Sequence, residues 1–295
     1  MVPGGTSGGP WAYRHDLVRA TGAGGLLLAV LLATLLGVST SARASSRAHP
    51  GPVDVLYAGS LLDVMQQKIG PAFHRATGDT LVGIAGGSSA LASEIKGGTE
   101  VGDVFLSASA QVDTTLEGAA NGQWVSTYRD FGESRLVLGY NPHSPFAPLL
   151  RREPWFDVVD RPGFLLGRTD PTTDPKGVLA VDALRGVALS FDRPALASLA
   201  ASRSNVFDET ALVGELQAGQ LDAGFFYQVE ASAAHLATVP LTDTALFAQF
   251  TVAKLRHAPH GAAATAFINF LLGPTGRALL RSDAITPTPS SRATH

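Results

Sequence analysis

The 295-residue sequence contains no cysteine. That excludes a disulfide framework and a thiolate metal site, and also anchoring through a lipid-bearing N-terminal cysteine. Charge is sparse too: Asp, Glu, Lys and Arg make up 16% of the chain, with a net charge of −3. Such a balance gives no broad basic footprint for nucleic acid or anionic lipid. A small anion in a cleft needs only local donors and is not excluded. Several catalytic signatures are missing as well. No G-x-x-x-x-G-K-[ST] loop occurs, so nucleotide hydrolysis of that type is ruled out. H-E-x-x-H is absent, and the run Gly86-Gly-Ser-Ser-Ala90 fails G-x-S-x-G at its last position. His257 and His260 are wrongly spaced for one helical face and have Pro259 between them, so a solvated turn is expected there rather than a metal site.

Hydrophobic residues make up 45% of the chain, enough for one large domain or two lobes with separate cores. The N-terminus stands apart. Arg14 and Arg19 precede the uncharged run Gly22–Val38, and Ala42-Arg43-Ala44 follows it. A positive flank, an apolar run and an A-x-A site read as a secretory signal over 1–44. The rival is a retained anchor, because the run is close to the lower limit for crossing a bilayer. The abrupt change to small polar residues at Ser39–Ser46 favours cleavage. An extracytoplasmic protein is therefore expected, secreted or in the cell envelope or periplasm. Residues 1–44 carry Arg14, Arg19, Arg43 and Asp16, so cleavage makes the net charge more negative by two.

After a flexible leader at 45–52, short apolar runs alternate with helical patterns. Strands are expected at Val53–Ala58, Thr80–Ile84, Val104–Ser107, Ser134–Pro142, Phe164–Gly167, Ala223–Tyr227 and Leu246–Val252. Leu61, Met65, Ile69 and Phe73 follow helical spacing, and Gly70-Pro71 should kink or divide that helix. Further helices are expected around Val112–Ala119, Val178–Leu189, Glu209–Ala218 (capped by Asp208) and Ala262–Leu272. This alternation predicts an α/β protein with mainly parallel sheets flanked by helices. From Pro287 onward the chain reads as a loose tail.

The chemical signal lies in a junction that occurs twice. Tyr57-Ala58-Gly59-Ser60 and Ala85-Gly86-Gly87-Ser88-Ser89 each run from a strand through small residues and serine into a helix. One such junction is more often a helix cap than a site. Two side by side at the carboxyl edge of a parallel sheet form a cradle of neutral donors for an anion. Ser107-Ala108 ends a third strand in the same way. Ser60, Ser88, Ser89 and Ser107 are thus candidate ligand donors, with Gly59, Gly87 and Ala108 as weaker ones. Asp170-Pro-Thr-Thr-Asp174-Pro-Lys176-Gly177 is a second concentration of signal, a stiff loop that would also cap the following helix. Asp174 can accept a proton from a ligand hydroxyl or enter a metal's coordination shell, Asp170 is a weaker candidate, and Lys176 is either a balancing charge or a solvated surface residue. Tyr227 closes the buried run GFFY, where Phe225 and Phe226 suffice for the core and the Tyr hydroxyl is left for a ligand.

YAGSL (57–61), GGSSALASEI (86–95), DVFLSAS (103–109), RLVLGYNP (135–142), GRTDPTTDPKG (167–177) and LQAGQLDAGFFY (216–227) occur in order. Together they resemble the extracellular molybdate/tungstate-binding proteins of ABC transporters, over roughly Val53 to Thr286. The resemblance implies a two-lobe periplasmic-binding-protein fold of type II with a two-strand hinge. Lobe 1 would comprise 53–136 plus 245–286, lobe 2 would comprise 137–244, and the tail 287–295. It implies a monomer that closes on a tetrahedral oxyanion and delivers it to a membrane permease, without enzymatic activity or cofactor. Molybdenum or tungsten would enter only within the oxyanion and not as a free cation. Ser60 and Ser88 or Ser89 match the family's oxyanion donors, Asp174 its second-lobe loop, and Tyr227 its tyrosine. Where a Glu precedes that tyrosine in tungstate-binding relatives the metal becomes six-coordinate. Here Phe226 stands in that place, which favours a simple tetrahedral anion, with Glu230 nearby in sequence. The alternatives are the same scaffold tuned to sulfate or another small anion, and a secreted serine hydrolase using Ser60 or Ser88. A hydrolase needs a histidine base, and the ligand-facing junctions contain none.

Overall fold

Val53, Val55, Leu56, Tyr57 and Ala58 are all fully buried, which a strand achieves only when both of its faces are covered. This strand, β1 (Pro52–Ala58), is an inner strand of the sheet in the computed structural model, which describes residues 50–241 and 246–288. The expected signal sequence, residues 45–49 of the leader and most of the tail lie outside the described residues. Among the described residues no helix is long and apolar enough to cross a membrane.

The chain continues through α1 (Gly70–Thr77), β2 (Thr80–Gly86), α2 (Ser88–Gly97), β3 (Val104–Ser107), α3 (Ala110–Thr114) and the long β4 (Val125–Tyr140). It then forms α4 (Ala147–Leu150), α5 (Trp155–Val159), β5 (Leu166–Thr169), α6 (Pro175–Ser190), α7 (Pro194–Ala201), β6 (Val206–Phe207) and α8 (Leu212–Gln217). Last come β7 (Ala223–Tyr227), α9 (Gln228–Ala233), β8 (Ala237–Pro240), β9 (Phe247–Leu255), α10 (Gly261–Leu272) and α11 (Pro274–Ser282).

The strand order is β2-β1-β3-β9-β4-β7-β5-β6, with β8 pairing β4 off this path. Strands β2, β1 and β3 are parallel, as are β7, β5 and β6. Every antiparallel pair involves β4 or β9, the strands that run between the two halves. Within each half the βαβ strands run parallel, and only the connecting strands β4 and β9 enter against that direction. β4 does the joining: residues 125–135 pair with β9, and residues 136–140 pair with β7, with 137–140 also pairing β8. Register shifts between Val125 and Tyr128 and between Asp130 and Gly132 bend it on the way. The result is a two-lobe α/β protein.

Several elements differ from their expected bounds. The helix predicted from Leu61 to Phe73 breaks into a π-helical turn at Val64–Ile69 before α1, where the Gly70 amide reaches back to the Met65 carbonyl. Pro71 has no amide to donate and its ring crowds the preceding turn, so the widened turn absorbs the mismatch. The helix predicted at Glu209–Ala218 starts only at Leu212, with no side-chain cap. The buried Glu209 carboxylate is committed to an ion pair elsewhere, which pulls it out of the helix. α6 begins earlier than predicted, with Asp174 as its N-cap residue and Pro175 at its first position. α11 was not anticipated.

Candidate functional site

The parallel order places the ends of β1, β2 and β3 beside one another, since Ala58 pairs with Gly86 and Tyr57 with both Ala85 and Leu106. The two serine-bearing turns are therefore neighbours. At one, Ser60 is buried and its hydroxyl has no partner. At the other, Ser88 is fully buried and its Oγ accepts from the Ala108 amide at 3.1 Å, tying the β2 end to the β3 end and leaving the Ser88 proton to be donated. The Ala108 amide is thereby spent. Ser107 is spent as well: its hydroxyl donates to the Ser109 carbonyl at 2.9 Å and accepts from the Ser109 amide at 3.1 Å. Ser89 is only half-buried and lines a separate cleft of about 520 Å³ with Lys96, Val178 and Phe247.

The second lobe meets these turns directly. The Ala90 amide donates to the Thr173 carbonyl at 3.0 Å. A Cβ on Gly87 would lie 2.4 Å from that carbonyl oxygen and 3.2 Å from the Asp174 Cβ, and a Cβ on Gly59 would overlap the Glu209 carboxylate, 1.4 Å from Oε2. Only glycine permits such an approach. Asp174 is buried with Oδ2 unpartnered, and Tyr227 is fully buried with its hydroxyl unpartnered. The Thr169 hydroxyl at the end of β5 is likewise buried without a partner. Asp170 is not part of this group. Its carboxylate accepts from the Thr172 amide and hydroxyl at 2.9 and 2.7 Å, and those bonds hold its pKa below the ordinary value.

Lys176 is the cation of the site and is not on the surface: it is 1% exposed. Its Nζ donates to Glu230 Oε1 and Oε2 at 2.6 and 2.8 Å and to Glu209 Oε1 at 3.2 Å, and it lies 5.8 Å from the Tyr227 ring centroid. Burial pulls this ammonium down, but Glu209, Glu230 and Asp174 outweigh it and raise its pKa above the ordinary value, so it stays charged. Burial pushes Glu209 up to about 8 against the opposing pull of Lys176, and moves Asp174 and Glu230 in the same direction. Tyr227 is raised well above its usual value by burial and then by the three carboxylates, so its hydroxyl remains a donor.

Glu209 had no role in the sequence reading beyond the start of a helix, and Glu230 entered only as a neighbour of Tyr227. One signal was available for Glu230. A Glu three residues after Tyr227 is placed to reach back to the start of the next helix, as the Glu of a capping box does, and its Oε2 accepts from the Tyr227 amide at 3.3 Å. Nothing local marks Glu209, whose role depends on a contact with a residue 33 positions away. Arg168, the other buried cation among the described residues, spends its guanidinium on the carbonyls of Thr169, Ala200 and Ser202.

Two lobes joined by crossing strands, with a buried polar cluster between them, make up a two-lobe fold of the type II periplasmic-binding-protein kind. The model of the bacterial extracellular solute-binding protein family matches residues 53–283, and the chain belongs to that family. It is a family of binding proteins, so a serine hydrolase is set aside. Among its relatives is a putative ABC transporter molybdenum-binding protein of Haloferax volcanii, 30% identical over 195 residues, 65% of this chain and 60% of the relative. The molybdate/tungstate-binding protein WtpA of Thermococcus kodakarensis is 22% identical over 209 residues, 52% of this chain and 59% of the relative. The chain thus spans about three fifths of the length of these curated relatives. In fold it is similar to the periplasmic molybdate-binding protein of Azotobacter vinelandii (TM-score 0.63, 17% identity, 81% of this chain and 100% of that one). It is equally similar to the sulfate-binding protein SubI of Mycobacterium tuberculosis (TM-score 0.64, 17% identity, 81% and 88%).

Proposed function

We propose that the protein captures molybdate or tungstate between its lobes outside the cytoplasm and delivers it to the permease of an ABC importer. The observation that carries this is the set of buried, unpartnered hydroxyls of Ser60, Thr169 and Tyr227, together with the free proton of Ser88, at one junction between the lobes. Buried polar groups in folded proteins are nearly always satisfied, so several orphans in one place mark a ligand's seat. A buried oxyanion needs a donor for each oxygen, and hydroxyls rotate to supply them. Closure of the lobes excludes water and makes each charge-assisted hydrogen bond stronger. Reopening on the permease then releases the anion.

Titration calorimetry with molybdate, tungstate, sulfate and phosphate tests this. Molybdate or tungstate gives saturable heat at micromolar concentration. Tyr227→Phe weakens that binding by about 10- to 100-fold, the value of a hydrogen bond to a charged group, while leaving the unliganded protein's melting temperature nearly unchanged. Silence with all of these anions overturns the assignment, and heat from sulfate alone moves it to the sulfate form of the scaffold.

A further inference from the structure

The junction holds more negative than positive charge. Asp174, Glu209 and Glu230 are buried around Lys176, and among the described residues no other Lys, Arg or His pairs with any of the three carboxylates. With all four groups ionised the cluster carries two net negative charges, and a bound dianion would double that in a site closed to water. The charge has to be relieved on one of the carboxylates.

The geometry distinguishes them. Glu230 gives both oxygens to the Lys176 ammonium, at 2.6 and 2.8 Å, and accepts from the Tyr227 amide. Asp174 sits at the N-terminus of the 16-residue α6, where the helix dipole favours a negative charge. Glu209 has the weakest support: a single contact with Lys176 at 3.2 Å and no helix behind it. Its second oxygen, Oε2, is buried without a partner and is pressed against Gly59, the residue before Ser60.

Resting on the oxyanion function proposed above, we infer that Glu209 is the site's proton carrier: it binds the anion as a neutral carboxylic acid whose Oε2–H donates to a ligand oxygen, so that each anion is captured together with one proton. The O–H bond on Oε2 uses a proton from solvent: below about pH 8 the unliganded carboxyl already holds it, and above about pH 8 it is taken up with the anion and returns to solvent when the lobes open. No electrons move. The groups facing Glu209 are Lys176 on α6, Glu230 on α9, Asp174 before α6, the neutral Tyr227 on β7 and the Gly59-Ser60 turn after β1. Burial already pushes the Glu209 carboxyl up to about 8 in the unliganded protein, so the proton is within reach near neutral pH. The device would select anions that accept a hydrogen bond from a carboxylic acid and would make release easier in alkaline surroundings.

The test is calorimetric titration of the full chain with sodium molybdate in buffers of different ionisation enthalpy, at pH values from about 7 to about 10, where molybdate itself stays a dianion. The expected heats differ between buffers by an amount corresponding to about one proton taken up per molybdate above pH 8, and affinity falls about tenfold per pH unit in that range. In Glu209→Gln, whatever binding remains shows no proton uptake and no pH slope. Asp113→Asn, which removes another buried carboxyl away from the site, leaves the wild-type uptake in place. Molybdate binding with buffer-independent heat and no pH slope overturns the inference and leaves the oxyanion function standing. Wild-type uptake that persists in Glu209→Gln also overturns it. Failure of molybdate, tungstate and sulfate to bind at any of these pH values overturns both.

Discussion

Lys176 shows how much one side chain can decide. In sequence it is a lysine in a polar loop, which most often projects into water. In the structure it is buried and bonded to two glutamates from α9 and from the turn before α8. Its removal leaves three buried carboxylates facing one another with no cation. Lys176→Met is therefore expected to cost about 3–5 kcal/mol near neutral pH, the value for breaking a buried pair from one side. The cost should shrink as the pH falls toward about 4, because the carboxyls regain protons and need no partner. Urea unfolding of the variant and the wild type at both pH values measures this, and an equal loss at each would contradict the charge imbalance.

Among the elements, β4 carries the largest structural burden. It enters as the neighbour of β9 and leaves as the neighbour of β7 and β8. At the changeover Ser134 is buried. Its hydroxyl accepts from the Val229 amide in the first turn of α9 at 3.0 Å and donates to the Ala284 carbonyl at 3.3 Å. One side chain thus ties the connecting strand to the helix that holds Glu230 and to the segment after α11. Ser134→Ala strands a buried amide and is expected to lower stability by about 1–3 kcal/mol. Chemical denaturation checks this, and a change below about 0.5 kcal/mol would mean that the tie carries no weight.

The pH response belongs to the whole molecule. Asp113 on α3 is buried, accepts from the Thr251 hydroxyl of β9 at 2.5 Å, and is pushed by burial from 3.8 up to about 7. Glu209 moves the same way, from 4.5 to about 8. Both carboxyls hold protons in the folded state that the unfolded chain has already released. Between about pH 4 and 8 the folded state is the more protonated one, so stability falls as the pH rises across that window. Asp170, with its pKa held below the ordinary value, works in the opposite sense only at more acidic pH. The unliganded protein should melt at a higher temperature near pH 5 than near pH 8.5, and Asp113→Asn should reduce the difference. A flat or rising profile in calorimetric scans would refute this.

Local chemistry was legible where it repeats or periodically patterns the chain. The runs that became β1, β3 and β7, the division of the first helix at Gly70-Pro71 and the doubled serine turns follow from residue spacing and backbone restriction, which need no distant partner. The family signature in the ordered motifs could be read for the same reason. Ser107 and Ala108 looked like ligand donors because their type and place were right, and only folding showed that Ser109 and Ser88 had already taken their hydrogen bonds. The burial of Lys176, the recruitment of Glu209 onto Gly59 and the surplus of negative charge between the lobes arise from segments far apart in the chain. Electrostatic balance is a property of distances in space, and sequence order does not contain those distances until the lobes come together.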